Sequence, residues 1–420
     1  MRVVLVSEVL GVGGLPNYVL DLARVMSEAG MSVLVAHGNA PLPSHLEAAG
    51  IGLLHLPGLA AAASEADADH AIVALRSWHP DVVHVHLLST PAMIGRLLTS
   101  GLVLVRTFHD LTSVCLRRGR RRWPGDRCQR ALGWACVGWG CLLAPAEPGG
   151  RLPRVSSLPA KLAERDGYRA FAANIAISNF IARTLRLNGF PQPQIHVVPN
   201  FSIFDDAALA AAAPVRLPGV PGHDRPFELL FVGQAVAGKG LEILIAALIS
   251  LSGNWRLTVL AEGPRLGPAR AMAEQGGVSS RIRFLGWVGQ SETREHYRAA
   301  DLVVVPSVFD EPSGLVGIEA MSLGKPLVGF AVGGIPDYLL DQKTGLLVRE
   351  ITSDALRAAL AEAISDPARL AGWGEAARAF SAQTHTRARH LQAIRRVYEI
   401  ARGGMTQNVP IKQVMEADPA

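Results

Sequence analysis

Two glutamates stand at a spacing that could bind the hydroxyl groups of a ligand from one side. Glu311 and Glu319 have seven residues between them, within residues 309–337, which read FDEPSGLVGIEAMSLGKPLVGFAVGGIPD. An apolar run, LVVV at residues 302–305, comes just before this stretch, and a run with helical spacing follows the Glu-Pro-Ser-Gly segment. The pattern predicts a strand, a loop and the start of a helix, which is where α/β sheets bind ligands.

The chemistry of this stretch would combine anion binding with hydroxyl binding. Glu311 would lie in the loop and Glu319 about one turn inside the helix, so both carboxylates could face one crevice. The first amides of a helix have no intrahelical acceptor and attract an anion. Those amides belong to Ser313, Gly314, Leu315 and Val316. A phosphate on the amides and hydroxyls on the carboxylates predict a sugar nucleotide, although each glutamate alone could be an ordinary helix-dipole or surface residue.

A lysine in a second loop could add positive charge to such a site. Residues 229–248 read LLFVGQAVAGKGLEILIAAL, which predicts a strand followed by a helix that begins near Lys239. A lysine in this position can neutralise a diphosphate as a point charge beside the helix N-terminus. The alternative is a surface lysine at a turn.

These segments together resemble the signature of the retaining glycosyltransferases of family four (glycosyl transferases group 1), which have the two-domain GT-B fold. The resemblance covers about residues 1–400, is strongest over residues 229–348 and is weakest over residues 111–167. It implies an α/β protein with two Rossmann-like, doubly wound parallel-sheet domains that face an interdomain cleft.

The resemblance also assigns roles to individual residues of this chain. It implies a catalytic set of His109, Glu311 and Lys239, in which Lys239 holds the pyrophosphate of a nucleotide-diphosphate sugar, Glu311 accepts from the sugar hydroxyls and His109 steadies the sugar. Glu319 would accept from the ribose hydroxyls. The implied donor-binding residues are Gly13, Gly14, Gly233, Gln234, Lys239, Gly263, Ser313, Gly314, Leu315, Val316 and Glu319.

Two positions depart from the family pattern. Gln234 stands where the family usually has an arginine that grips the pyrophosphate, and Ser313 where it often has a phenylalanine. Gln234 can donate a hydrogen bond but carries no charge, so a nucleotide-sugar-binding protein without turnover stays open as one alternative to a transferase. A nucleotide-sugar epimerase, which shares the fold, is the other alternative. An NAD enzyme is disfavoured, because the three-glycine dinucleotide fingerprint is not met.

By the resemblance, the first domain binds the acceptor, which would be a sugar, a lipid-linked sugar or a small molecule with a free hydroxyl. The expected role is polysaccharide or glycolipid assembly. The sugar nucleotide is a substrate, so no cofactor is expected, and His and carboxylate residues show no spacing typical of catalytic zinc.

The domain organisation follows from alternating β-like and helical segments, which favour parallel sheets. Residues 1–204 are predicted as the first domain, and the Pro- and Gly-rich residues 205–226 as a linker. Residues 227–385 form the predicted nucleotide-sugar-binding domain. A helix over residues 386–402 is expected to pack back on the first domain, and residues 403–420 to form a tail.

Residues 111–167, called here the basic segment, are the predicted insertion. All four cysteines of the chain lie in it: Cys115, Cys128, Cys136 and Cys141. Their spacing is not that of paired zinc ligands, so a structural zinc site and unliganded thiols both stay open. Five arginines between residues 117 and 122, with Trp123, Trp134 and Trp139 nearby, could contact anionic lipid headgroups or form a solvated loop.

Composition excludes several classes of protein. Of the 420 residues 49% are hydrophobic and 18% charged, which indicates a globular chain long enough for two domains. The formal charge of +5, from 41 basic and 36 acidic residues, is too small to predict nucleic-acid binding. No signal peptide and no spanning helix are expected, which predicts a cytoplasmic protein, either free or at the inner face of the membrane.

Overall fold

The computed structural model describes residues 1–11, 14–39, 51–60, 63–121, 127–144, 154–204 and 225–403. Gly13, Trp123, most of the predicted linker and the predicted tail beyond Gly403 lie outside the described residues. The chain divides into two compact units. The first comprises Met1–Thr107, Ala170–Asn174 and the described residues from Gln392 onward, and the second comprises Phe108–Arg169 and Ile175–Leu391. The predicted domain boundaries at residues 204 and 227 stay predictions.

A seven-stranded sheet is built from the N-terminal half of the chain. The strands of this half are β1 (Arg2–Ser7), β2 (Ser32–His37), β3 (Gly52–His55), β4 (Val82–Leu87), β5 (Leu104–Phe108), β6 (Leu143–Ala144), β7 (Arg154–Val155), β8 (Ala173–Ala176) and β9 (Ile195–Val197). The strand order is β3-β2-β1-β4-β5-β8-β9, and β6 and β7 form a separate antiparallel hairpin. The helices are α1 (Gly14–Glu28), α2 (Glu65–Ser77), α3 (Pro91–Thr99), α4 (Ala135–Gly138), α5 (Leu158–Arg169) and α6 (Asn179–Leu187).

A six-stranded parallel sheet follows. Its strands are β10 (Phe227–Gln234), β11 (Trp255–Glu262), β12 (Ile282–Phe284), β13 (Leu302–Val305), β14 (Leu327–Phe330) and β15 (Gly345–Val348), in the order β12-β11-β10-β13-β14-β15. The helices are α7 (Leu241–Ile249), α8 (Leu266–Gln275), α9 (Gln290–Ala299), α10 (Leu315–Ser322), α11 (Ser353–Ser365), α12 (Pro367–Thr384) and α13 (Arg387–Ala401). The predicted α/β class with two doubly wound parallel sheets is confirmed.

Strand composition agrees with the burial of the inner strand β13. β13, which is LVVV, is buried along its whole length. Continuous apolar strands are typical of parallel sheets covered by helices on both faces. In the second sheet the chain starts at β10, runs outward to β12 and then returns to β13 on the other side. The strand order therefore reverses between β10 and β13, and ligands of such sheets bind at the carboxyl ends of that strand pair.

The C-terminal helix α13 is anchored through a buried histidine of the first unit. The ring of His84 hydrogen-bonds with the Tyr398 hydroxyl at 2.7 Å and with Thr107 Oγ1 at 2.6 Å, and all three side chains are buried. Arg395, one turn earlier, donates to the carbonyl of Ala29 at 2.8 Å. These contacts account for a helix at the end of the chain that packs against N-terminal residues.

Across the described part of the chain, no helix combines the length and the apolar character that crossing a membrane would need.

Candidate donor site

The Glu311 loop, defined as residues 306–314, follows β13 at the reversal of strand order. Glu311 Oε1 accepts a hydrogen bond from Ser307 Oγ at 2.8 Å and pairs with the ammonium group of Lys239. The Glu311 side chain is 11% exposed, whereas that of Lys239 is 32% exposed. The structure therefore brings together two residues of the predicted catalytic set, and adds Ser307 as a second donor to the carboxylate.

Close backbone packing holds the Lys239 turn against this loop. The Gly238 carbonyl accepts from the amides of Val308 at 2.9 Å and Phe309 at 3.3 Å. A Cβ atom at position 238 would lie 2.0 Å from the Phe309 ring, so only glycine permits the approach. The sequence AGKG indicated a turn here, but it did not indicate this contact.

The backbone of Glu311 is held from its other side. Its carbonyl accepts from the Gly334 amide at 2.7 Å, and the Ser178 hydroxyl donates to the carbonyl of Pro312. Asp337 accepts from the amide of Asn179 at 2.6 Å, and burial raises the pKa of its carboxyl group. All of these residues belong to the second unit. Hydrogen bonds from other parts of the second unit thus hold the loop on both sides.

Helix α10 begins directly after this loop. Gly314, at the N-cap, has φ +88° and offers no side-chain acceptor to the first amides of the helix. Ser313, the residue before it, is buried. The helix end therefore has the backbone geometry expected of an anion site, and the predicted roles of Gly314, Leu315 and Val316 stay predictions.

Glu319 lies one turn inside α10 and has a partner that the sequence did not reveal. Its Oε2 accepts from the hydroxyl of Tyr297 at 2.9 Å, and the same hydroxyl lies 3.3 Å from the Val316 carbonyl. Burial raises the pKa of Glu319 to about 7, although its side chain keeps some exposure to solvent. A carboxyl group whose pKa is raised to near neutrality, close to the start of a helix, is a candidate for ligand binding.

Three further predicted donor residues, Gly233, Gln234 and Gly263, lie at strand ends. Gly233 and Gln234 end β10, and Gln234 is exposed at this edge. Gly263 follows β11 with φ +142°, and a Cβ atom there would lie 2.6 Å from the Ala235 carbonyl. These positions lie near the carboxyl end of β10, and their roles toward a donor stay predictions.

Three predicted positions remain, of which the structure describes two. His109 follows β5 in the second unit and is partly buried. Gly14 begins α1 in the first unit and is exposed, while Gly13 lies outside the described residues. Their roles toward a donor stay predictions.

The basic segment contacts the Glu311 loop. Arg121 donates to the Val308 carbonyl and lies over the Phe309 ring, with its guanidinium carbon 5.3 Å from the ring centroid. Arg127 pairs with Asp310 at 2.9 Å. Burial lowers the pKa of Arg121, and the Asp310 charge opposes that effect. Two arginines thus hold the residues that precede Glu311.

The four cysteines of this segment are unpaired by disulfides. Within the described ranges, which include all four, no group of three or more His, Cys, Asp or Glu side chains is placed to hold a metal ion. Burial raises the pKa of the Cys141 thiol, and Cys136, Cys115 and Cys128 are close enough for their charges to raise it further. The alternatives of a structural zinc and of unliganded thiols stay predictions.

Comparison with solved structures identifies the class of fold. A glycosyltransferase from Rickettsia africae superposes with a TM-score of 0.71 at 15% identity, covering 99% of each chain. Anabaena HepE in complex with UDP superposes with a TM-score of 0.71 at 18% identity, covering 94% of this chain and 99% of that one. The fold is therefore GT-B.

Comparison of sequences then gives the family. The model of "Glycosyl transferases group 1" matches residues 219–380 and that of "Glycosyltransferase Family 4" matches residues 12–201. A D-inositol 3-phosphate glycosyltransferase of Xylanimonas cellulosilytica is 30% identical over 414 residues, which cover 87% of this chain and 90% of the relative. A 2-deoxystreptamine N-acetyl-D-glucosaminyltransferase of Streptomyces fradiae is 27% identical over 86% of this chain. The chain belongs to the glycosyl transferases group 1 and is a glycosyltransferase.

Proposed function

We propose that this enzyme transfers a sugar from a nucleotide-diphosphate sugar to a hydroxyl acceptor with retention of anomeric configuration. The observation that carries the proposal is the pairing of Lys239 with Glu311 beside the uncapped start of α10. Cation and helix amides suit a diphosphate, while Glu311 and Glu319 suit the hydroxyls of a sugar and a ribose.

The Lys239–Glu311 pair describes the site before a donor binds. A diphosphate offers the ammonium group a more highly charged partner than one carboxylate, so Lys239 would move to the phosphates. Glu311 would then keep its hydrogen bond from Ser307 and have its second oxygen available for a sugar hydroxyl. Glu319 would ionise and accept from the ribose hydroxyls.

The reaction breaks the bond between the anomeric carbon and the donor phosphate oxygen. A bond to the acceptor oxygen forms on the same face of the sugar, and the acceptor proton passes to a donor phosphate oxygen. Lys239 and the α10 amides would stabilise the leaving diphosphate, so the protein's own groups can supply the charge that a metal ion supplies elsewhere. We accordingly propose a metal-independent reaction in which Glu311 is not a nucleophile.

For the acceptor we propose a sugar hydroxyl in polysaccharide or glycolipid assembly, presented at the inner face of the membrane. The relatives' names point to a second class, since they act on an inositol phosphate and on 2-deoxystreptamine. An acceptor panel should therefore contain lipid-linked sugars, D-inositol 3-phosphate and 2-deoxystreptamine.

The test combines thermal shift with donor hydrolysis across a panel of nucleotide sugars, for the wild type and for Glu319→Ala. We expect one sugar nucleotide to stabilise the wild type and to be slowly hydrolysed in EDTA, with both effects lost in the variant. NMR of the transferred sugar should show the anomeric configuration of the donor. Inversion would contradict retention.

Two other outcomes would replace the proposal. Interconversion of the donor's sugar without any acceptor would show an epimerase. Stabilisation without turnover, with every acceptor present, would show a binding protein, which is the outcome that the uncharged Gln234 favours.

A further inference from the structure

We propose that the basic segment docks the enzyme on an anionic lipid bilayer through an exposed apolar patch. The patch comprises Trp134, Val137, Trp139, Leu143 and Val155, whose exposed fractions are 75%, 39%, 42%, 56% and 74%. Fourteen large apolar side chains of the described residues are exposed, and five of them belong to these 22 consecutive positions. Such clustering marks an interaction surface, whereas scattered exposed apolar residues do not.

The basic segment also has a small hydrophobic core of its own. Leu116, Leu132, Cys141 and Leu158 form a small buried cluster, and Cys136 packs against it. The segment thus has two sets of apolar side chains: an inward set, which is already buried, and an outward set, which is exposed. The outward set needs an external partner to leave water.

Local structure brings together residues within two parts of the patch, the β6–β7 hairpin and the α4 region. Leu143 and Val155 are directly paired across the β6–β7 hairpin, so their side chains share one face. Val137 lies in α4 between the two tryptophans, and the Arg130 guanidinium carbon is 5.8 Å from the centroid of the Trp139 ring. An arginine beside an exposed indole is suited to the boundary between headgroups and acyl chains.

The positive charge of the basic segment favours an anionic lipid bilayer over a second copy of the chain as the partner of the apolar patch. The basic segment contains eleven basic and four acidic residues, a net charge of +7, which leaves 30 basic and 32 acidic residues, a net charge of −2, in the rest of the chain. A second copy docked patch to patch would oppose two +7 segments. Negative headgroups attract the same segment, and that attraction falls off within a Debye length.

The test measures co-sedimentation of the full chain with phosphatidylcholine vesicles, with and without phosphatidylglycerol. We expect binding only when the anionic lipid is present. Trp134→Ser should weaken it about tenfold by removing buried apolar area, and Arg130→Gln about fivefold. Matched controls are Trp287→Ser, because Trp287 is 70% exposed outside the patch, and Arg349→Gln at another exposed arginine.

Absence of binding to either kind of vesicle would overturn the proposal. So would an equal loss of vesicle binding in Trp134→Ser and Trp287→Ser. A dimer detected by light scattering and abolished by Trp134→Ser would show that a second copy of the chain covers the patch instead. Donor binding by thermal shift should be the same in Trp134→Ser and the wild type, so membrane docking and the proposed reaction can fail separately.

A second inference rests on the proposed function and concerns Tyr338. We infer that its hydroxyl donates a hydrogen bond to an oxygen of the nucleotide-sugar donor. Tyr338 is 2% exposed, and its hydroxyl has no hydrogen-bond partner among the residues that the structure describes. Tyrosine hydroxyls that are buried usually have a partner, so a ligand is the expected one.

The position of the ring supports this role. A Cβ atom at Gly314 would lie 2.6 Å from the Tyr338 hydroxyl oxygen, and one at Gly317 would lie 2.3 Å from the ring. The hydroxyl thus lies against the start of α10, where the diphosphate is proposed. Burial, with the charges of Glu311 and Asp337, raises the pKa of Tyr338, so the hydroxyl stays protonated and able to donate.

Tyr338→Phe removes only this oxygen. We expect donor Kd to rise about tenfold, with a Tm equal to or above that of the wild type, because no protein hydrogen bond is lost. Tyr168→Phe, at a fully buried tyrosine of α5, is the control and should leave donor Kd unchanged. An unchanged Kd in Tyr338→Phe, with binding still lost in Glu319→Ala, would overturn the role of Tyr338 alone. A wild type that binds no nucleotide sugar would overturn both this role and the proposed function.

Discussion

The Glu311 loop and the basic segment lie in the same compact unit but differ in the polarity and the exposure of their side chains. In the loop, Glu311 has two side-chain donors and its backbone is held from two neighbouring elements. In the basic segment, large apolar side chains point to solvent above a core of four residues. These properties suit the first region to the small polar ligand proposed for it, and the second to the extended partner proposed for it.

The two regions also differ in what a single substitution can change. The polar groups of the Glu311 loop are mostly buried, where an unpaired group costs more than it does at the surface. Arg130, Trp134 and Trp139 of the basic segment are exposed, where a side chain contributes little to stability. We therefore expect large effects on turnover from the loop and small effects on the fold from the segment.

The largest effect is expected from Glu311→Gln. The amide keeps the shape of the side chain but loses the charge that pairs with Lys239 and would accept from the sugar. Donor hydrolysis and transfer should fall by about 10² to 10³-fold, while nucleoside diphosphate binding is retained because Lys239 is released. The control is Asp310→Asn, one residue earlier, which pairs with Arg127 instead. Equal losses in the two variants would show that the loop acts only through its net charge.

Gly238→Ala should destabilise the fold through the same loop. The new methyl group would lie 2.0 Å from the Phe309 ring, and the turn also carries Lys239. We expect a loss of about 2–3 kcal/mol in the free energy of unfolding, measured by urea denaturation. Gly372→Ala is the control, since a Cβ atom at this exposed position inside helix α12 meets no neighbouring group, and it should be neutral or stabilising. A Gly238→Ala variant as stable as the control would mean that Phe309 can move aside.

Glu319→Gln should separate stability from ligand binding. The folded-state pKa of about 7 lies above the ordinary value of 4.5, so the folded protein holds the proton more tightly than the unfolded chain. Stability is fully present below pH 4.5 and falls as the pH rises toward 7, by about 2 kcal/mol after allowance for the partial exposure of the side chain. The variant should lose this pH dependence, unfold at a higher temperature at pH 8 and fail to bind the donor.

The wild type should show the complementary behaviour toward ligand. In the proposed complex the ribose hydroxyls donate to the ionised Glu319 carboxylate, so donor affinity should weaken as the pH falls below about 7. Calorimetric titrations at pH 6 and pH 8 would check this. Equal affinity at the two pH values would show that the ribose does not contact Glu319.

Sequence patterns were sufficient for the fold and for most of the loop. The apolar run at 302–305 became β13, and the spacing of Glu311 and Glu319 placed one carboxylate in the loop and the other inside α10. These features depend on short-range periodicity, which is visible in the chain itself. The confirmed α/β class has the same origin.

The partners of those residues could not be predicted in the same way. Tyr297 lies 22 positions from Glu319, and Asp337 is 158 positions from Asn179, so only the folded chain brings them together. The basic segment lacks periodicity, and its arginines and tryptophans were compatible with either a solvated loop or a lipid contact. Exposure values for individual side chains were needed to find its apolar patch.

The smallest effect is expected where the two regions meet. Arg127 is 40% exposed and Asp310 is 10% exposed, so Arg127→Gln leaves a mostly buried carboxylate without its ion pair. We expect a stability loss of about 1 kcal/mol and an approximately threefold rise in donor KM at unchanged kcat, because Asp310 precedes Glu311. Arg283→Gln is the control, since Arg283 lies 3.9 Å from its partner Glu228 at the surface. If Arg127→Gln instead lowered kcat as far as Glu311→Gln, the basic segment would belong to the catalytic site, and the contrast between the two regions would not hold.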